Sequence, residues 1–450
     1  MTSLRDRLAA FHPGTGSPRL GVLLVLALLA VFFSLVTLKE QQPEGARAAR
    51  LLAPRLAALP AGAAVVAIGR DSDEDRRFTA AVVALLAARR QTATAINGEP
   101  AAVRAALGSL SLEGAAVAAI AVPESYAAVV RGLAATVPAL AGASVLSSPS
   151  YRWPTFLLPS NLRNVANQIA VIAILAIGMT MVIITAGIDL SVGSLIAFAA
   201  VIAAWTIGRL GGEGASTGAM LLAGAVTIAM CAVAGAFSGV MVTRFAVPPF
   251  IATLGMMQVA SGFAYIISAG KPIYRIPERF VTLGRGVDPL LAVPWAVWLM
   301  AVLYVAAHLL MGRTVLGRYL YAVGGNPEAA RLAGVPVGRV LLFAYVASAA
   351  LAGLGGVVMA SQLRSGAPTY GAMYELYVIA AVVVGGTSLA GGEGTIAGTL
   401  VGAFIIAVIQ NGMNLTNVES YTQKVVLGLV ILGAVLLDRL RRRQRPGTGA

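Results

Sequence analysis

Long apolar stretches recur along most of this chain, and they constrain its fold more than any other feature. Several approach the 20 apolar residues that span a hydrocarbon core about 30 Å thick. Hydrophobic residues make up 58% of the chain and charged residues only 12%, against about 25% charged residues in soluble domains. We therefore predict an all-α polytopic membrane protein. The predicted spans are approximately 20–38, 166–186, 192–209, 218–242, 249–269, 289–311, 338–360, 374–390, 395–413 and 421–438.

One long segment, residues 39–160, has a different composition. It holds nearly half of the acidic residues, and its apolar runs shorten to the length of strands. Short apolar runs that alternate with helical periodicity predict a small α/β domain with a parallel sheet, inserted after the first helix. The predicted strands are 63–68, 92–96, 115–122 and 143–146, and the predicted helices are 78–90, 101–110 and 126–140. The predicted organisation is therefore 1–38 (N-terminus and first span), 39–160 (α/β domain), 161–438 (membrane core) and 439–450 (basic tail).

The positions of arginine and lysine predict the orientation in the membrane. With the N-terminus inside, thirteen basic residues lie in inner segments and seven in outer loops. The inner set is Arg5, Arg7, Arg19, Arg244, Arg313, Arg318, Arg331, Arg339, Arg439, Arg441, Arg442, Arg443 and Arg445; the outer set is Arg209, Lys271, Arg275, Arg279, Arg285, Arg364 and Lys424. We expect both termini to be cytoplasmic and the α/β domain to lie outside. Because no small-residue cleavage site follows the first span closely, we expect it to be an uncleaved anchor.

A carboxylate lies between two predicted spans in the stretch 183–194, which reads Ile-Ile-Thr-Ala-Gly-Ile-Asp-Leu-Ser-Val-Gly-Ser. An ionisable group at membrane depth is costly, so Asp189 is a functional candidate. The neighbouring hydroxyls of Ser191 and Ser194 add polar groups to the same turn. The alternative is that Asp189 or Ser191 caps the helix that follows, and both roles are compatible.

A short predicted helix at 324–334 lies between two spans on the predicted cytoplasmic side. Asn326 suits an N-cap, Pro327 the first helical position, and Glu328 the positive end of the helix dipole. Gly334 suits a left-handed C-terminal residue. Because isolated helices of this length are marginal in water, a partner must order it. The alternative is an ordinary surface helix.

Glycines cluster in a third stretch, 383–395, which reads Val-Val-Gly-Gly-Thr-Ser-Leu-Ala-Gly-Gly-Glu-Gly-Thr. They let backbones approach closely, as helix packing in membranes favours. A Gly-x-Gly-x-x-Ala pattern begins at Gly392, but no strand–helix–strand unit surrounds it, so a dinucleotide site is rejected. We predict a tight packing turn near the inner face.

These three stretches, with Asn167-Gln168 and the segment 176–180, resemble the permease subunits of ribose-type sugar ABC importers, in the branched-chain amino acid/ribose permease family. The resemblance covers about 161–437, and the 39–160 insertion departs from that family's pattern. It implies that the short helix couples to an ATPase through Asn326, Pro327, Glu328, Ala329, Ala330, Arg331 and Gly334. The other matching motif residues are Gly187, Asp189, Ser191, Gly193, Ser194, Gly385, Gly386 and Gly392.

The function implied is that of a permease for a sugar or similar small polar solute in the bacterial cytoplasmic membrane. Its expected partners are ABC ATPase subunits, a second permease copy or a related chain, and a periplasmic or lipid-anchored solute-binding protein. No phosphate loop is present in the sequence, so ATP hydrolysis falls to the partner and the chain is not itself an enzyme. One cysteine and two distant histidines predict no metal site, and no cofactor or nucleic acid is expected.

Two other functions remain open: a sensory receptor that uses the α/β domain, and an ion-coupled secondary transporter. Polar residues in or beside spans are candidates for the substrate pathway, with interhelical hydrogen bonds as the alternative. They are Asn167, Gln168, Thr253, Gln258 and Asn411.

The outer arginines Arg275, Arg279, Arg285 and Arg364 are candidates for contact with a binding protein, or are solvated loop charges. The α/β domain loosely resembles one lobe of a periplasmic sugar-binding protein, and we interpret it as an accessory or docking module rather than a sugar receptor; a structural insertion is the alternative.

Overall fold

The computed structural model describes residues 18–60, 62–112, 117–137, 140 and 142–443. The predicted inner arginines Arg5, Arg7 and Arg445 lie outside the described residues. The chain divides into a helical unit, residues up to 37 and from 156 onward, and an α/β unit, Leu38–Thr155.

The elements are named in chain order. They are α1 (Pro18–Val36), β1 (Leu38–Gln41), α2 (Gly45–Ala57), β2 (Ala64–Gly69), α3 (Asp73–Ala87), β3 (Ala93–Asn97), α4 (Pro100–Leu112), β4 (Val117–Val122), α5 (Glu124–Ala135), β5 (Ser144–Ser147), β6 (Tyr151–Pro154), α6 (Pro159–Ile184), α7 (Val192–Arg209), α8 (Thr217–Arg244), α9 (Pro249–Ser268), α10 (Glu278–Arg285), α11 (Trp295–Arg313), α12 (Val315–Gly325), α13 (Pro327–Leu332), α14 (Val337–Leu363), α15 (Tyr374–Val384), α16 (Ile396–Leu415) and α17 (Ser420–Arg443).

The α/β unit is built on a parallel sheet with strand order β3-β2-β4-β5. Successive side chains of a strand point to opposite faces. In β2, Val66 and Ile68 therefore join the core beneath α4 and α5, whereas Val65 and Ala67 join the core beneath α2 and α3. A separate antiparallel pair, β1 with β6, joins the two ends of the unit.

The positions of β2 to β5 lie within two residues of the expected strands, but α2 was not expected. The proline in its interior, Pro54, argues against a helix when only the sequence is considered. Its buried residues Ala48, Leu52 and Leu56 nevertheless recur at helical spacing, and packing on the sheet outweighs the cost of the proline.

Seven described helices are long and apolar enough to cross a membrane: α6, α7, α8, α9, α11, α14 and α16. The other three predicted spans correspond to shorter apolar helices, Leu20–Val36, Tyr374–Val384 and Ser420–Gly433. The predicted multi-pass helical fold is therefore confirmed, and within the residues that the structure describes seven of the ten predicted spans are long and apolar enough to cross a membrane.

Helix α6 lies at the centre of the helical unit and is buried continuously from Ile169 to Ile184. At Gly178 the backbone of α14 approaches so closely, through Ser348, that a Cβ would not fit. The helical unit begins at Phe156 rather than at the expected residue 161, because Phe156 is buried against Phe33 and Val408.

A non-helical segment, residues 364–373, follows α14 and runs beside α7. Gly366 packs on Ala200 and Ala204, and Gly371 packs on Ile196 about two helical turns away. The eighth predicted span, 374–390, begins directly after this segment, and its helical part, α15, ends at Val384 after only 11 residues. Such backbone is tolerated beside a membrane helix only where protein or a water-filled cavity surrounds it.

Candidate functional site

Asp189 lies in the turn between α6 and α7, and its carboxylate is buried, with 2% exposure. One oxygen, Oδ1, accepts hydrogen bonds from the backbone amide (3.0 Å) and the hydroxyl (2.6 Å) of Ser191. The other, Oδ2, accepts one from the hydroxyl of Ser348 on α14 (2.8 Å). No basic side chain in the described part of the chain pairs with it, so these hydrogen bonds carry its stabilisation.

Ser191 occupies the N-cap position of α7, but its side chain accepts no capping hydrogen bond. The expectation that Ser191 caps through its own side chain is wrong, because its hydroxyl donates to Asp189 instead. Asp189 takes the capping role in part, since it accepts the amide of Ser191. Gly187 lies directly beside the Tyr345 hydroxyl, leaving no room for a Cβ, and that buried hydroxyl has no hydrogen-bond partner among the described residues.

The short helix α13 has the caps that its sequence indicates. The Oδ1 atom of Asn326 accepts the amide of Ala329 at 3.0 Å, Pro327 begins the helix, and Gly334 follows it with φ +83°. Glu328 and Arg331 form a 3.1 Å ion pair on its exposed face.

Within α13 one residue is buried and the others are exposed, a difference that the sequence did not reveal. Ala330 is buried against the helical unit, whereas Leu332 is 89% exposed, although it is a large apolar residue. Together with the ion pair of Glu328 and Arg331, Leu332 gives the tip of α13 a mixed apolar and charged surface.

Three chain segments meet immediately before α13, in a contact that we call the glycine junction: Gly324 of α12, Gly391 and Gly392 of the glycine-rich loop, and Ile184 at the end of α6. A Cβ on Gly324 would overlap the carbonyl oxygen of Ile184. Gly391 and Gly392 both have positive φ, +84° and +75°, and pack against α12.

A hydrogen bond reinforces the contact beside this junction. The Tyr321 hydroxyl donates to the carbonyl oxygen of Gly394 at 2.8 Å, joining α12 to the same glycine-rich loop.

The two other motif glycines lie at the turn between α15 and α16. Gly385 packs directly on the backbone of Gly398, and Gly402 packs on Ala381 in the same way. Gly386 has φ +91°, in the left-handed region that glycine adopts without strain. The predicted packing turn thus corresponds to a close approach of two helices.

The five candidate pathway residues do not form one group. Asn411 exchanges a reciprocal pair of amide hydrogen bonds with Asn161, 2.9 and 3.0 Å long. The hydroxyl of Thr253 on α9 donates to the carbonyl oxygen of Ile188, beside Asp189, at 3.2 Å.

Asn167 donates to the carbonyl oxygen of Gly284 at 3.0 Å and accepts a hydrogen bond from Gln362. These contacts of Asn167, Thr253 and Asn411 favour the interhelical alternative. Gln168 and Gln258 are exposed on the surface of the helical unit.

The arginines predicted to lie in outer loops are all exposed: Arg275, Arg279, Arg285 and Arg364. Between α10 and α11, the carboxylate of Asp288 organises a loop that sequence reasoning did not single out. It accepts hydrogen bonds from the amides of Leu290, Leu291 and Val293 and from the indole of Trp298. The hydrogen bond from Leu291 is the main cause that lowers the pKa of Asp288 below its ordinary value.

The α/β unit has an open cavity of about 420 Å³ at the carboxyl ends of β2 and β3. Its lining is predominantly acidic: Glu44, Arg70, Asp71, Ser72, Glu74, Asp75 and Glu99. The Arg70 side chain is held in place by two contacts. It forms an ion pair with the buried Asp75 at 3.0 Å and donates a hydrogen bond to the Ser125 hydroxyl at 2.7 Å.

Comparison with known proteins identifies the helical unit. Residues 161–435 match the family model described as branched-chain amino acid transport system / permease component. The chain is 43% identical over 291 residues, 64% of its length and 88% of the relative, to the ribose import permease protein RbsC of Escherichia coli K12. It is 41% identical over 288 residues (64% and 87%) to RbsC of Bacillus subtilis 168. It is 37% identical over 292 residues (65% and 84%) to the L-arabinose ABC transporter permease protein AraH of Azospirillum brasilense. No solved structure matches.

Proposed function

Since the chain belongs to the branched-chain amino acid transport system / permease component family, and within it to the ribose-type sugar ABC permeases, we propose that it is the membrane-spanning subunit of an ATP-driven importer. The solute is a sugar, because the relatives are named for ribose and L-arabinose import. The observation that carries the proposal is the glycine junction, which connects the exposed α13 to the end of the central helix α6.

The α13 surface is the proposed contact with a separate ATPase. Its exposed Leu332 and the ion pair of Glu328 with Arg331 offer one apolar and two charged contacts at a tip that nothing else in the described helical unit covers. A partner that buries this tip would order the short helix, which is marginal alone.

Transmission from α13 to the bundle follows from packing. Closure of the ATPase subunits on ATP would displace α13 and, with it, α12. Gly324 contacts Ile184 without any intervening side chain, so a shift of α12 cannot be absorbed by a rotamer change. The displacement would reach the end of α6 and the Asp189 turn five residues farther along. It would thereby switch the pore between outward and inward access.

The proposed orientation places both termini and α13 in the cytoplasm and the α/β unit outside. The excess of inner basic residues supports it. The course of α6 also supports it. The chain leaves the helical unit at Thr37 and re-enters it at Phe156, and both residues lie near the start of α6. There the Thr37 hydroxyl accepts a hydrogen bond from the Phe156 amide at 3.1 Å. Ile184 of the glycine junction lies at the other end of α6, about 39 Å away along the axis.

The remaining partners in the proposal are a second permease chain and a solute-binding protein. The exposed outer arginines are the proposed contact for acidic patches on that protein. The α/β unit is proposed as an accessory or docking module, because its cavity offers predominantly carboxylates and its single arginine is already bonded to Asp75 and Ser125.

The test is reconstitution into liposomes with the ATPase and binding protein encoded beside the gene, and measurement of D-ribose and L-arabinose uptake. We expect uptake that requires ATP, the ATPase and the binding protein. Uptake by the purified chain alone, driven by an ion gradient and without ATP, would show a secondary transporter instead.

A further inference from the structure

A small cavity lies where the non-helical segment 364–373 meets α7, α9 and the start of α15. Its volume is about 210 Å³. Hydroxyl groups and one carboxylate supply its polar lining: Ser194, Ser261, Tyr265, Thr369, Tyr370 and Glu375. No lysine, arginine or histidine is among the lining residues.

Glu375 is the charged group of this cavity. It lies in the first turn of α15, is half-buried, and its carboxylate packs against Gly193 of α7, where any Cβ would occupy its place. In the described part of the chain no other side chain forms a hydrogen bond or an ion pair with it. A carboxylate beside membrane helices is costly when unpaired, so Glu375 is a candidate for contact with a ligand.

The backbone beside the cavity supports the same conclusion. Gly371 has φ +69° and Met373 has φ +67°, and both precede α15 directly. Left-handed backbone at a residue other than glycine is strained, and such residues cluster at ligand sites. Interrupted helices beside an internal cavity are also where transporters bind their substrates.

We propose that this cavity is a transient binding site for a neutral polyhydroxylated solute on the transport route, with Glu375 accepting hydrogen bonds from its hydroxyl groups. This inference rests on the proposed importer function and adds the residues that contact the solute. Serine, threonine and tyrosine hydroxyls both donate and accept, as sugar hydroxyls do. Because no cationic side chain lines the cavity, an anionic solute is disfavoured. The cavity offers only a few hydrogen bonds, so the bound solute can leave again.

The first experiment compares Glu375→Gln with Glu419→Gln in the reconstituted complex. Glu419 is an exposed residue that does not line the cavity, so its variant controls for the loss of one charge. Loss of a hydrogen bond to a charged group predicts a KM for D-ribose uptake about tenfold higher in Glu375→Gln, with ATP hydrolysis retained, and no change in Glu419→Gln.

The second experiment labels the cavity and does not depend on the charge change. In Ser261→Cys the native Cys231 is buried and contributes no background. We expect a small water-soluble thiol reagent to modify Cys at 261, and D-ribose to slow the reaction. Protection by Na⁺ and not by ribose would assign the cavity to a cation, and absence of labelling would show that no solute enters it; either result overturns the proposal.

The two proposals fail separately. An unchanged KM in Glu375→Gln, in a complex that imports ribose with ATP, would overturn the cavity assignment alone. A wild-type complex that shows no ATP-dependent uptake would overturn the importer function.

Discussion

The backbone amide of Gly392 donates a 2.8 Å hydrogen bond to the carbonyl oxygen of Ile184, the last residue of α6. The same carbonyl oxygen lies against Gly324 of α12. One peptide group therefore connects the central helix to the segment before α13 and to the glycine-rich loop. The contact is made by backbone alone, so it is stiff, and it tolerates no added side chain.

Gly324→Ala should disrupt this junction, whereas Gly325→Ala should not. A methyl group on Gly324 overlaps the Ile184 carbonyl oxygen, but one on Gly325 meets nothing within 4 Å. We expect Gly324→Ala to lose ATP-driven uptake and about 1–3 kcal/mol of stability. Uptake assays and thermal unfolding of both variants check this. Equal behaviour of the two alanine variants would contradict the role of the junction.

Reversing a charge on α13, by Glu328→Arg or Arg331→Glu, should uncouple uptake from ATP hydrolysis while the permease stays in the membrane. Both side chains are exposed, and their ion pair contributes only about 0.2–0.5 kcal/mol to the helix. Uptake and ATPase co-purification are the measurements. The double variant restores the internal pair but not the surface presented to the partner, so it should remain uncoupled. Normal transport in both single variants would refute the α13 contact.

Ser348→Ala should destabilise the helical unit by about 1.5–3 kcal/mol, because it removes a hydrogen bond to the buried Asp189 carboxylate. Ser238→Ala is the matched control, since Ser238 is also buried but its hydroxyl has no hydrogen-bond partner. Its replacement should cost little or nothing. Thermal unfolding in detergent distinguishes the two, and equal losses would show that the Asp189 contact contributes nothing specific.

Asn411→Ala should lower stability by about 1 kcal/mol and leave the KM for sugar unchanged, because Asn411 pairs with Asn161 between α16 and α6. Gln258→Ala, at an exposed position, should leave stability unchanged. Unfolding curves and uptake kinetics measure the two effects. A raised KM in Asn411→Ala with unaltered stability would return Asn411 to the solute route.

The loop of Asp288 should stabilise the fold in a pH-dependent way. Its pKa is lowered in the folded state by hydrogen bonds, first of all from the Leu291 amide. A lowered folded pKa contributes stability above the unfolded value of about 4, and this stability is lost as the pH falls through the lowered value.

Wild type should therefore be more stable than Asp288→Asn at pH 7, and the difference should shrink as the pH falls below about 4. Comparing the two proteins at each pH cancels the titration of the other carboxyls. A difference that stays constant over this range would contradict the assignment.

Several features of this protein could be read from local sequence. Membrane spans are recognised from the length of an apolar stretch, and strands from short apolar runs. The caps of α13 are recognised from Asn326, Pro327 and Gly334. All of these signals involve residues that are close together in the sequence. For that reason the helical class, the strands β2 to β5 and the family resemblance were accessible without a fold. Helix α2 was not predicted, because Pro54 lies in its interior and because packing on the sheet, which stabilises this helix, is not visible in the local sequence.

Sequence alone thus determined which segments are apolar enough to cross a membrane and which residues carry motifs, because hydropathy and capping are properties of neighbours along the chain. Only the tertiary structure decided what those residues touch. Asp189 accepts a hydrogen bond from Ser348, 159 residues away. Gly324 contacts Ile184, and Glu375 packs against Gly193 beside a cavity. The physical reason is that an apolar helix has no strongly polar face to reveal its rotation, so close packing sets which side chains meet.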